Sequence, residues 1–434
     1  MTNKKIYSAG NEAWICVQIG AREHYAIPRA LHRIGRLTTL VTDRWNTIAN
    51  SLSDRILPAK LYRPIQSRFH QELASANVVS FNSKNLVFEF SNKTGNQWQR
   101  VQKRNQWFQD VAKKRFLELV QSNPGATVFA YSYAAKEFFE IAKRYGCKTV
   151  LGQIDPGKRE TEIVEQLHLN AGLPPYQKPP QIYWDQWYKE CDLADAILVN
   201  SEWSRSLLSE QEIELDKLHV IPLCYEPKTT KANLANSGDG QNQTIEPFSK
   251  SNPLKVLFLG QVVARKGIVE LLESIDQLQD QPISWTVVGG GDTHLVDQLK
   301  QRTNVDYYNQ VSRDEVGNYF PKHDLFVLPT HSDGFAITQL ESIHFELPVV
   351  ASKYCGRVVD DGVNGIVLDS VSADSISSAM YSVLKRPSLL KHFQKNIQSQ
   401  SNNRYSLTDL LDDLLHVETS IHLMKKVSLE GLGP

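Results

Sequence analysis

Runs of about four to six apolar residues alternate along most of the chain with stretches whose apolar side chains recur at helical spacing. That is the pattern of α/β units built around parallel sheets. In the first half it predicts strands at Trp14–Ile19, Thr38–Thr42, Thr127–Ala130, Thr149–Leu151, Ala196–Val199 and Leu218–Leu223. Ser201 stands where an N-cap belongs, ahead of a helix through Leu207 and Leu208. Pro28 falls in an early helical turn and predicts a late start or a kink. The alternation restarts with a strand at Leu254–Leu259 and a helix whose inner face is Ile268, Leu271, Leu272, Ile275 and Leu278. Strands follow at Ser284–Val288, Leu325–Leu328 and Val349–Ala351, with a helix at Ala336–Phe345 between the last two. Ser406–Leu423 is apolar at helical spacing and long enough to cross between domains.

Residues 228–252 are rich in Asn, Ser, Thr and Gly and nearly free of large apolar side chains, as a linker is. A chain of 434 residues exceeds what one core organises. The expected organisation is a first α/β domain over 1–227, a linker over 228–252 and a second α/β domain over 253–404. A closing helix within 405–434 is expected to return to the first domain.

Composition changes this picture in three places. With 41% hydrophobic and 22% charged residues, the chain is neither disordered nor fibrous. The formal net charge of +0 conceals a dipole: residues 1–150 carry 23 Lys and Arg against 10 Asp and Glu, and the remainder 25 against 38. The first third therefore suits something anionic, a phosphate-bearing substrate or a membrane surface, and no motif for nucleic acid accompanies it. Five scattered cysteines without a C-x-x-C pair read as reduced thiols, not as a disulfide framework or a zinc site. No apolar run suits a signal peptide or a membrane span, so a cytoplasmic protein, at most peripheral at the inner membrane face, is expected.

The stretch 324–352 carries the most chemistry. A strand ends near Leu328, a polar loop holds Thr330, His331, Ser332 and Asp333, and a helix follows. Ligands of open parallel sheets sit beyond the carboxyl ends of strands. The N–H groups of Phe335, Ala336 and Ile337 would form a helix N-terminus for phosphate or sugar oxygens, and Gly334 would let the backbone approach the ligand. Asp333 and Glu341 would place one carboxylate in the loop and another about two turns into the helix, one for a sugar hydroxyl and one for a ribose. An N-cap and a surface acid fit the same spacing. Arg265 and Lys266, after the strand that ends at Gly260, would neutralise a diphosphate, or would merely solvate the next helix. Gly289-Gly290-Gly291 is a further glycine loop at a strand end. In 98–119, Arg and Lys mix with Trp98, Trp107, Phe108 and Phe116, which fits a helix on an anionic membrane or a core face with a solvated back. Tyr183, Trp184, Trp187 and Tyr188 fit helix packing or a sugar platform.

Jointly these pieces resemble glycosyltransferase family 4, retaining nucleotide-sugar transferases of the GT-B fold. The strand–Gly–x5–Lys–Gly segment is matched by Gly260, Lys266 and Gly267, and the acidic pair at spacing eight by Asp333 and Glu341. Glu346–Ser352 and Asp361–Gly365 match two later segments, Ile19–His24 a glycine loop, and residues 195–222 the end of the first domain. The chain departs by carrying Asp333 for the usual Glu, Gln261 for an Arg, one glycine in the first loop and no first-domain His, whose place falls near Asp155.

The resemblance implies two Rossmann-like, doubly wound parallel-sheet domains facing across a cleft. The donor would be a nucleotide-diphosphate sugar, UDP before GDP, and the acceptor a glycan, a lipid-linked or a small molecule. Asp333, Arg265, Lys266 and Asp155 are the implied catalytic residues. Gly20, Gly260, Gln261, Gly289, Gly334, Phe335, Ala336, Ile337 and Glu341 would join Arg265 and Lys266 around the donor. No metal or other cofactor is implied. A GT-B nucleotide-sugar epimerase and a non-catalytic nucleotide-sugar-binding protein share these features.

Overall fold

Continuous burial of short apolar runs is what a parallel sheet covered by helices on both faces requires. The computed structural model describes residues 12–46, 68–226, 247–399 and 405–430, the last segment with side chains to residue 422. The first sheet comprises β1 (Trp14–Gln18), β2 (Leu37–Thr42), β3 (Val78–Ser80), β4 (Thr127–Tyr131), β5 (Lys148–Gln153), β6 (Ala196–Val199) and β7 (Leu218–Val220). Its order is β3-β2-β1-β4-β5-β6-β7, and every pairing is parallel. The second comprises β8 (Leu254–Leu259), β9 (Ile283–Val288), β10 (Val305–Tyr308), β11 (Leu325–Leu328), β12 (Val349–Ser352) and β13 (Gly365–Leu368). Its order is β10-β9-β8-β11-β12-β13, again all parallel. The chain is thus two doubly wound α/β domains, each with its strand order reversing beside its first strand. The strands β3, β10 and β13 were not foreseen; β3 and β10 lie at sheet edges and are only partly buried, so neither shows a long apolar run.

The predicted linker falls mostly on residues 227–246, outside the described residues; Ser249 and Asn252 then pair in a tight turn. In 98–119 the core alternative holds. The helix Gln97–Ser122 opens on a capping box from Asn96 and Gln99 and buries Phe108 and Phe116, while Lys113, Lys114 and Arg115 stay exposed. Tyr183, Trp184 and Trp187 belong to the same core. Pro28 does delay its helix, which starts at Ala26 after three successive residues with positive φ, Glu23, His24 and Tyr25. The five cysteines form no disulfide. Among the described residues no helix is long and apolar enough to cross a membrane.

The closing helix, Leu407–Glu430, packs on the first domain. Its Leu410, Leu411, Leu414, Val417 and Ile421 share a cluster with Trp14, Leu31 and Leu40. Glu418 is buried among them and satisfied, accepting from Trp14 Nε1 at 2.6 Å and pairing with Arg36. Leu414 is fully buried, so Leu414→Ala is expected to cost about 2–5 kcal/mol of stability, read as a lower urea midpoint at unchanged slope.

Candidate active site

Two strand ends and one turn build the second-domain side. A Cβ on Gly289 would stand 1.8 Å from the carbonyl oxygen of Gly260, so the glycines after β8 and β9 serve a backbone-to-backbone approach. Gln261, beside them, is exposed. The chain then makes a one-turn 3-10 helix, Ala264–Lys266, that ends in Gly267 with φ of 70°. A Cβ there would stand 1.9 Å from the Pro329 oxygen, which shows how closely this turn sits on the segment after β11. His331 N–H and Thr330 Oγ1 both donate to the Arg265 carbonyl, at 2.8 and 3.0 Å.

Arg265 and Lys266 are thereby carried to Asp333. Lys266 Nζ pairs directly with Asp333 Oδ2, and Arg265 Nη1 lies 3.5 Å from the same oxygen while donating to the Ser332 carbonyl at 2.6 Å. Burial, then the neighbouring Arg265 charge, push the Lys266 ammonium down to about 7, with Cys355 and Glu160 the opposing influences.

The first domain closes the other side. The helix Lys158–Asn170 brings Glu160 to 3.7 Å from Arg265, and Ser332 Oγ donates to Glu160 Oε1 at 2.8 Å. Burial pushes the Glu160 carboxyl up, and Arg265 pulls it back. Trp203 Nε1 donates to Ser332 Oγ at 3.1 Å. Arg265 therefore sits between carboxylates of both domains. Sequence reading missed Glu160: it looks like any first-turn acid of a surface helix, and only the second domain gives it a role.

Four expectations about this loop are corrected. The helix starts at Thr338 and runs to His344, not from Ala336. Asp333 Oδ1 accepts from the Phe335 and Ala336 N–H groups at 3.1 and 2.9 Å, which turns the chain before the helix and leaves Ala336 at φ 63°. Those two N–H groups are therefore engaged, and Ile337 is the N-cap. Glu341 consequently lies in the first turn of the helix, not two turns in. Gly334 approaches protein backbone: its Cβ would stand 2.4 Å from the Ile154 oxygen of the first domain.

Glu341 is buried, with no side-chain hydrogen bond among the described residues. Burial pushes its carboxyl up to about 7, with Arg313 the opposing influence. An acid in that state lacks its natural hydrogen-bond donors.

Asp155, just beyond β5, lies in a separate network. Its Oδ1 accepts from Tyr133 Oη at 2.5 Å, Gln153 Nε2 at 2.9 Å and the Gly157 N–H at 3.0 Å. No contact to its Oδ2 is found among the described residues. Trp187 Nε1 fixes Gln153 at 2.9 Å. Glu190 accepts from the N–H groups of Tyr133, Ala135 and Lys136, which holds the turn after β4. Burial pushes Glu190 up to about 7 and these backbone donors pull it down. Tyr133, Gln153 and Glu190 were not foreseen, although Glu190 continues the buried face of Tyr183, Trp184 and Trp187, an unusual place for an acid. Asp155 lines a first-domain cavity at the ends of β1 and β4. Gly20 stands near its rim at φ 79°, donating its N–H to Asp43 Oδ1 at 2.8 Å.

Comparison with known proteins gives this geometry a context. The family described as "Glycosyl transferases group 1" matches residues 241–400. An uncharacterized 41.2 kDa protein in the cps region of Klebsiella pneumoniae is 23% identical over 192 residues, 43% of this chain and 51% of that one. The putative teichuronic acid biosynthesis glycosyltransferase TuaC of Bacillus subtilis is 34% identical over 122 residues, 27% and 30%. The chain thus spans about half, or less, of the length of these curated relatives. In three dimensions it is similar to Anabaena HepE solved with UDP, with a TM-score of 0.61 at 12% identity over 94% of this chain and 100% of that one. At that identity the likeness establishes the GT-B fold.

The tight approach of Gly334 to Ile154 is open to test. Gly334→Ala is expected to cost about 1–3 kcal/mol in denaturant unfolding and to loosen amide exchange in 329–337; an unchanged midpoint and exchange pattern would contradict the contact.

Proposed function

We propose that this chain is a retaining, metal-independent glycosyltransferase that moves a hexose-type sugar from a nucleotide-diphosphate sugar to a glycan, a lipid-linked or a small-molecule acceptor. The observation that carries the reading is the pair Arg265 and Lys266, held at the facing edges of two domains beside Asp333 and Glu160. UDP is preferred over GDP because the structural neighbour HepE was solved with it.

A donor diphosphate entering this crevice takes over the two cations. Its phosphate oxygens take the place of the Glu160 carboxylate at Arg265, so donor binding replaces the Glu160–Arg265 pair. Glu341 accepts from the ribose hydroxyls, and Asp333 turns from Lys266 toward a sugar hydroxyl. As the anomeric C–O bond to phosphate breaks, Arg265 and Lys266 stabilise the charge that builds on the leaving diphosphate, which serves in place of a metal. The acceptor hydroxyl oxygen bonds to the anomeric carbon on the same face and gives its proton to the departing phosphate oxygen. Asp155 Oδ2 holds a hydroxyl on the first-domain side.

We place the enzyme in the cytoplasm with peripheral membrane contact. The helix Asn82–Ser91 supports this better than the basic helix after it, since Leu86, Val87 and Phe90 are exposed beside Lys84 and Lys93.

Incubation with UDP- and GDP-sugars and an acceptor panel is expected to release nucleotide; release with none of them would sink the reading. Arg265→Ala together with Lys266→Ala should lower kcat about 10²–10³-fold, more than it weakens donor binding. Burial pushes Glu341 up to about 7 and Lys266 down to about 7, so the Glu341 contribution is read as the ratio of UDP-glucose affinities of the unaltered protein and Glu341→Gln, in which the Lys266 titration cancels. By calorimetry that ratio should grow several-fold, up to about tenfold, from pH 6 to pH 8 as the Glu341 carboxylate forms.

A further inference from the structure

The first-domain cavity has a chemistry of its own. It opens at the point where strand order reverses between β1 and β4, where sheets of this kind take ligands. Arg22 reaches it from the strained turn after β1, its guanidinium 5.5 Å over the Tyr131 ring. Arg104 reaches it from the helix Gln97–Ser122. Neither arginine has a carboxylate within ion-pair distance among the described residues. Arg104 Nε is buried without a hydrogen-bond partner, and burial together with Arg22 pushes its guanidinium down. Of the acids on that side, Asp43 is taken by Arg68 at 3.0 Å, and Asp155, which also lines the cavity, accepts from Tyr133 and Gln153. Three further polar atoms of the lining are buried and unpartnered, Gln18 Oε1, Tyr131 Oη and Ser132 Oγ.

Buried polar atoms and unpaired buried cations are costly unless something binds them. Guanidinium pairs are suited to the oxygens of phosphate, while an amide oxygen and a hydroxyl suit a polyol. We infer that this cavity is the acceptor subsite and that it takes a hydroxylated acceptor bearing a phosphate group, held by Arg22 and Arg104, with Gln18 and Ser132 binding its hydroxyls. This rests on the transferase reading and adds to it the charge of the acceptor. The phosphate comes either from a soluble sugar phosphate or from a lipid headgroup.

The test is calorimetry on the full chain saturated with UDP, so that the donor site is filled, using glucose 6-phosphate, short-chain phosphatidylinositol and methyl glucoside as probes. At least one phosphate probe should bind about tenfold tighter than methyl glucoside, and Arg104→Gln and Arg22→Gln should each remove most of that gain. Glucose 6-phosphate as the tighter probe identifies a soluble source, phosphatidylinositol a lipid one. In the unaltered protein, added salt should weaken the phosphate probes and spare methyl glucoside, a readout that survives should a variant fail to fold. Methyl glucoside binding as tightly as both phosphates, or no phosphate binding, would overturn the inference. So would variants that weaken UDP as much as the phosphate probe, since the arginines would then serve the donor. Nucleotide release from UDP-sugars in the same preparation keeps the transferase reading standing if this one falls.

Discussion

The guanidinium of Arg265 is where the two domains meet in charge. It lies between Asp333 of its own domain and Glu160 of the other, with Lys266 bound beside it. Taking four charged groups out of water costs several kcal/mol each unless they compensate one another. Two cations against two carboxylates leave the cluster nearly neutral, but only if both domains contribute. The surrounding geometry serves that requirement: glycines that let strand ends touch, a turn bonded through the Arg265 carbonyl, and Gly334 against Ile154. Moving one lobe would leave a half-buried cation short of one partner.

Each sheet reverses its strand order next to its first strand, and the two reversal points do different work. In the second domain the reversal between β8 and β11 carries the ionic cluster. In the first, between β1 and β4, it opens the arginine-rimmed cavity with Asp155 on its lining. Glu190 anchors the turn after β4 through three backbone N–H groups, and Tyr133 passes that rigidity to Asp155. A cavity wall fixed in this way holds the Asp155 carboxylate in one orientation.

The closing helix links the chain's end to the same region. It covers the first domain through Leu414 and its neighbours, and Glu418 joins Trp14 of β1 to Arg36. The strand that leads to Gly20 and the strained turn at Glu23–Tyr25 is thus held from behind by the last helix. Strain of about 1–3 kcal/mol per residue persists only where surrounding structure enforces it.

The sequence by itself determined the α/β alternation, most central strands, the Ser201 cap and the clustering of chemistry at the ends of β8 and β11. Buried parallel strands must be apolar runs and loops must carry polar residues, so periodicity reveals both. It missed edge strands such as β10, whose half-exposed faces show no such run. It placed Asp333 and Glu341 at the right spacing but misread the local backbone, because whether an Asp side chain caps a helix or turns the chain before it depends on dihedrals that composition does not set. Only the tertiary structure decided that Glu160, 105 positions before Arg265, is its partner, that Gly334 faces backbone, and that Arg22 and Arg104 meet in one cavity. Such pairings join residues far apart in the chain, and the packing of one domain on another, not local pattern, brings them together.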